Sequence, residues 1–227
     1  MRSRFPWILP LLLLLPACGK EDLDDSDDDD EVTCDVGGGE RADVAFLVDQ
    51  SDATAPSLAP LAAAMDAFWT PLAASTSDWQ LMVVSAHDGC NASGLLSDAD
   101  RPSRTAFETG LQAKDGWQGN GMEVATWALE KSKTGMCNES FLRAQAFLHL
   151  VFVSGTDDAS PETWDAYLVR LRGKKLATAC FRASAVVPST ASAYEDLVST
   201  GGGLFLDLEG DWNETLAALA DASVGGS

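Results

Sequence analysis

From residue 43 onward, short unbroken apolar runs alternate with longer stretches in which apolar residues recur every three or four positions. VAFLVD (Val44–Asp49) is a run of the first kind, the pattern of a strand covered on both faces. Leu58, Leu61, Met65, Phe68, Trp69 and Leu72 follow at helical spacing and predict one helix with a single apolar stripe. WQLMVVSA (Trp79–Ala86) predicts a second buried strand, SGLLS (Ser93–Ser97) a short edge strand, and FLHLVFVS (Phe147–Ser154) the clearest strand of all. ASAVV (Ala183–Val187) and GLFLDL (Gly203–Leu208) complete the strands.

Helix starts are marked by local signals. Asn120 and Glu123 have the spacing of a capping box ahead of Met122, Ala125, Thr126 and Leu129. Ser160 followed by Pro161 predicts the start of a helix through Trp164, Tyr167, Leu168 and Leu171 that stops at Gly173. Ser192 with Glu195, and Asp211 with Glu214, open the last two helices. Strands alternating with helices predict an α/β fold, a doubly wound and mostly parallel central sheet flanked by helices. Ligands of such folds bind at the carboxyl ends of the strands, which here carry Asp49, Ser51, Ser154, Asp157 and Asp158.

The first 34 residues break this pattern. Two arginines precede an apolar run from Phe5 to Leu15, too short for a bilayer, which needs about 20 residues, but suited to a signal peptide. Leu15, Pro16, Ala17 and Cys18 resemble the lipobox of bacterial lipoproteins, which implies a signal peptide over 1–17 and a lipid on Cys18. Gly19, rather than aspartate, follows the cysteine, as in lipoproteins passed to the outer membrane. Nine acidic residues between Glu21 and Glu31 form a self-repelling run with no spaced calcium-loop pattern, so 18–34 reads as a disordered acidic tether and 35–227 as the folded domain. The chain's formal charge of −20 argues against nucleic acid and anionic headgroups as partners. In an exported chain Cys34, Cys90, Cys137 and Cys180 suggest two disulfides, with three pairings open; Cys34 precedes the first strand and Cys90 follows the second, so those two are not expected to pair. Sequons at Asn91, Asn138 and Asn213 carry no expectation in a bacterial lipoprotein.

No glycine-rich phosphate loop follows the first strand, which sets nucleotide cofactors aside. His87, Asp88 and Cys90 could form a hydrolase centre only if a base oriented by a third group stood within reach; the other histidine, His149, is expected in the core.

VAFLVDQSDA resembles the start of a von Willebrand factor A domain, in which an apolar strand ends in DxSxS, and FLRAQAFLHLVFVSGTDDAS resembles the fourth strand of bacterial lipoprotein members of that family. The resemblance covers Asp43 to Ala222 and implies a metal-ion-dependent adhesion site: an aspartate and two serines, a threonine and a second aspartate around Mg²⁺ or Mn²⁺. Carried over, Asp49 and Ser51 match, whereas Ala53, Met122 and Gly155 stand at the other three positions. A hard cation wants an octahedron of oxygens, and none of these three side chains supplies one. Two readings follow. Asp157 joins Asp49 and Ser51, helped by Asp52, around Mg²⁺, Mn²⁺ or Ca²⁺; or no cofactor is held and Asp52, Met122, Gly155 and Asp158 belong to a metal-independent binding surface. We expect the second: a non-catalytic adhesion module for a protein or surface polymer, lipid-anchored in the bacterial envelope at the outer membrane.

Overall fold

The computed structural model describes residues 41–224 except 77, 98–103 and 114. Cys18, Cys34, the leader and the acidic run lie outside the described residues. Six strands form one sheet: β1 (Arg41–Val48), β2 (Asp78–Val84), β3 (Leu96–Ser97), β4 (Phe147–Val153), β5 (Phe181–Val187) and β6 (Gly202–Asp207). Their order is β3-β2-β1-β4-β5-β6, with every pair parallel except β2 with β3. Among the described residues seven α-helices cover it: α1 (Ala55–Ala64), α2 (Asp66–Ser75), α3 (Arg104–Gly110), α4 (Gly121–Glu130), α5 (Trp164–Arg172), α6 (Ser192–Gly201) and α7 (Trp212–Ser223). This is the expected doubly wound α/β architecture.

The two faces explain the unbroken apolar runs. Along β1, Ala45 and Leu47 join the core under α4, α5 and α6, while Val44, Phe46 and Val48 join the core under α1, α2, α3 and α7. A strand with two dry faces has no polar position to alternate with. His149 of β4 is fully buried, and its two ring nitrogens are taken: Nδ1 lies 2.7 Å from Ser223 Oγ and Nε2 2.8 Å from Ser184 Oγ. Ser223 spends its proton on the Leu219 carbonyl, so Nδ1 donates to Ser223 and Nε2 accepts from Ser184. Burial pushes the imidazole down to about 3.

Three local expectations are corrected. The stripe from Leu58 to Leu72 is carried by two helices that meet at Met65, each with an internal proline, Pro60 or Pro71, lacking a backbone donor. Asn120 makes no cap to the α4 backbone; its amide donates to Glu123 Oε2 instead. Helix α5 starts at Trp164 with Thr163 as its N-cap, so Ser160 and Pro161 stand outside it. Asp211 does cap α7, accepting from the Asn213 and Glu214 amides. Helix α3 has no counterpart in the apolar pattern.

At the amino ends of the strands Arg143 closes a clasp. Its backbone N–H and Nε donate to the two oxygens of fully buried Asp43 in β1, at 2.8 and 2.7 Å. Its remaining donors reach the Ala42 and Asp78 carbonyls and the Asp78 carboxylate, and Lys175 caps the Arg143 carbonyl. Burial raises Asp43 to about 6 in spite of the guanidinium.

Candidate functional site

β1 and β4 are neighbours, yet the chain leaves β1 for β2 on one side and continues from β4 to β5 on the other. The carboxyl ends of β1 and β4 therefore border the crevice where such folds bind ligands. Asp49 sits there, fully buried. Its Oδ2 accepts from Ser51 Oγ at 2.6 Å and Thr54 Oγ1 at 2.8 Å, and Ser154 Oγ lies 3.0 Å away; Oδ1 accepts from the Ser51 N–H at 3.0 Å. The Ser154 proton is shared between Asp49 and the Thr156 carbonyl, also at 3.0 Å. Each carboxylate oxygen has about two lone-pair directions, so the three hydroxyls crowd Oδ2 to its capacity, while Oδ1 takes the single amide.

Thr54 was not a sequence candidate. It stands one residue beyond Ala53, is fully buried, and links two loops: its hydroxyl donates to Asp49 and accepts from the Gly155 N–H at 2.7 Å. The only sequence signal for it is a hydroxyl one place past the end of DxSxA.

Ala53 and Gly155, two of the three positions at which the sequence differs from the adhesion-site pattern it resembles, press against each other. A Cβ placed on Gly155 would lie 2.4 Å from the Ala53 carbonyl carbon, 2.6 Å from its oxygen and 2.7 Å from its Cβ. Met122, the third, is fully buried in the core under α4. Its side chain contributes no surface, which corrects its place among the exposed binding residues. The residues present do not fit an octahedral cation: the Ser51 and Thr54 protons point at Asp49 rather than their lone pairs at a common centre, and the space for a ligand from position 155 is filled by backbone. Among the described residues no three His, Cys, Asp or Glu side chains are grouped to hold a metal ion.

The adjacent aspartates face different helices. Asp157 accepts from the Ala193 N–H at 3.1 Å and Ser192 Oγ at 3.1 Å, so it serves the amino end of α6 rather than Asp49 or Ser51. Asp158 accepts from the Met122 N–H at 3.1 Å and from the Ser160 N–H, and Ser160 Oγ accepts from the Glu123 N–H, so both serve the amino end of α4. Tyr194, fully buried, brings its hydroxyl to 3.4 Å from Asp158 Oδ1. Burial raises the Asp158 carboxyl, against the pull of the Met122 and Ser160 donors, and raises the Tyr194 phenol. Asp52, Ala53 and Thr156 are exposed around this closed centre, and Ser51, Gly155, Asp157 and Asp158 are partly so.

The loop His87–Cys90 lacks a nucleophile, because Cys90 is bonded to Cys137. His87 packs edge-on to Trp127, and His149 is walled into the core. Cys180 is also in a disulfide. Asn138 is buried with its amide donating to the Gly89 and Ala128 carbonyls and its oxygen accepting from Asn91, so this sequon is closed to modification in the folded chain.

No family model matches the sequence, and no curated protein matches it. Solved structures match in fold. Proximal thread matrix protein 1 from the mussel byssus, in a second crystal form, aligns with a TM-score of 0.51 at 13% identity over 85% of this chain and 49% of that one. Another structure of the same mussel protein aligns with a TM-score of 0.47 at 13% identity, over 85% and 47%. A third, described as having a zinc-occupied MIDAS motif, aligns with a TM-score of 0.45 at 13% identity. The chain spans about half the length of that protein. The likeness is one of fold and agrees with the von Willebrand A-like arrangement of the sheet.

Proposed function

We propose that this chain is a non-catalytic binding module that engages a protein or a surface polymer through the loops at the carboxyl edge of the sheet, without a divalent cation. The observation that carries this reading is the closed centre. Asp49 is satisfied by Ser51, Thr54 and Ser154, and the Ala53–Gly155 contact fills the space a further ligand would need. The fold, shared with a byssal matrix protein, supports a binding role by analogy. The lipobox at Cys18 and the acidic run behind it support display from the bacterial outer membrane.

Thermal unfolding with and without millimolar Mg²⁺, Mn²⁺ or Ca²⁺ tests the cation. An ion present at a hundred times its Kd would add about 2.7 kcal/mol. We expect no shift; a rise in Tm that Asp49→Ala abolishes would refute the metal-free reading. Cys18→Ser is expected to release the protein from membranes, and retention after that change counts against the anchor.

A further inference from the structure

The two sulfurs of the Cys90–Cys137 disulfide are not equivalent. Cys137 is exposed on the α4–β4 connection, whereas Cys90 is half-buried in the β2–β3 connection. Lys131, just past the end of α4, brings its ammonium to 3.6 Å from Cys90 Sγ. Asp88 holds the lysine in place through its carbonyl and through a carboxylate oxygen at 3.3 Å, while its other oxygen accepts from the Cys90 N–H. Lys131, His87, Asp88, Trp127 and Glu130 line an open groove of about 400 Å³. Cys180, by contrast, is buried.

We propose that Cys90–Cys137 is a site of reversible thiol–disulfide exchange, entered at Cys137 by an external dithiol and eased by Lys131, which receives the departing Cys90 sulfur. A thiolate attacks an accessible sulfur in line with the S–S bond, and the rate rises as the leaving sulfur becomes a better anion. Here the attacking thiolate bonds to Cys137 Sγ, the S–S bond breaks, and its electron pair leaves on Cys90 Sγ beside the Lys131 ammonium. The second thiol of the reductant, as thiolate, then attacks its own sulfur in the mixed disulfide and releases Cys137 as thiolate. The protein disulfide gains two electrons and two protons, and the dithiol becomes a disulfide. Asn138 keeps the two connections together without the covalent bond, through Gly89, Ala128 and Asn91, so the reduced chain stays folded and can be reoxidised.

The test uses the full chain in its native state, exposed to millimolar glutathione, quenched in acid, alkylated and mapped by peptide mass spectrometry. The expected product carries glutathione on Cys137 and the alkyl label on Cys90, with Cys180 unmodified. Glutathione on Cys90 in preference to Cys137, or reaction at Cys180 as fast as at Cys137, overturns the proposal. Lys131→Gln is expected to slow the first step by about threefold or more, and Lys131→Arg to keep it within about twofold of the parent rate. Equal rates for the parent and Lys131→Gln overturn the part given to the lysine. The double variant Cys90→Ser/Cys137→Ser, which lacks this disulfide alone, is expected to keep the far-ultraviolet circular dichroism of the parent; loss of the native spectrum overturns a reversible cycle.

Discussion

Asp49 is a buried carboxylate whose hydrogen-bond partners are three hydroxyls and one amide, with no cationic side chain among them. Thr54 is the member of that set with two duties, so Thr54→Val, close in shape, leaves the Gly155 N–H without an acceptor and takes one donor from Asp49. We expect a loss of about 2 kcal/mol in urea unfolding, with Thr54→Ser recovering most of it. Asp49 and Ser51 were legible in the sequence because a strand end fixes where the first residues of its loop point. Thr54 was not, because the turn Ser51–Thr54, with the Thr54 and Ala55 amides both donating to the Ser51 carbonyl, decides which later hydroxyl faces inward. Asp157 and Asp158 were legible as a pair of carboxylates but not as two opposed ones. Only the packed positions of α4 and α6 send one to each helix.

At the scale of elements, the β4–α5 loop is a shared cap. Asp158 and Ser160 satisfy amides of α4 that Asn120 leaves open, and Asp157 satisfies α6. Local capping rules therefore failed at Asn120 and Ser160, where the partner comes from about 35 residues away along the chain, and succeeded at Asp211, whose amides are its near neighbours. Strands β1, β2, β4 and β5 were legible because burial on both faces leaves an apolar run that needs no context. Strand β6, only partly buried at the sheet edge, was legible from its run Leu204, Phe205 and Leu206. Helix α3 was not, since its short length leaves little periodicity to read. Arg143→Met tests the clasp that ties β1 and β2 to the start of β4. It strands Asp43 in the interior, and we expect chemical denaturation to show a loss of about 3 kcal/mol.

Across the whole molecule, winding sets the charge map. Strand carboxyl ends and helix amino ends share one edge, where Asp157, Asp158 and Asp211 meet free amides; helix carboxyl ends share the other, where Arg172 reaches the Thr200 carbonyl and Arg182 the Ala222 carbonyl. Two buried groups then govern acid stability in opposite senses. His149 is held at about 3 when folded but takes a proton near 6.5 when unfolded, so acidification below 6.5 favours the unfolded chain. Asp43, raised to about 6, takes its proton first in the folded state, so the fall from pH 6 to 3.8 favours folding. The two slopes cancel in that window. Subtracting the stability curve of His149→Gln isolates the histidine: the difference is expected to fall by about 1.4 kcal/mol per pH unit from 6.5 toward 3, and a flat difference would show that His149 titrates alike in both states.

The contact between Ala53 and Gly155 also limits what can stand at position 155. A carboxylate placed there would first meet the backbone of residue 53. Moving that backbone would pull Thr54 from Asp49 and from the Gly155 amide. An aspartate introduced there would therefore cost stability before it could meet an ion, and a compensating change at residue 53 would have to accompany it.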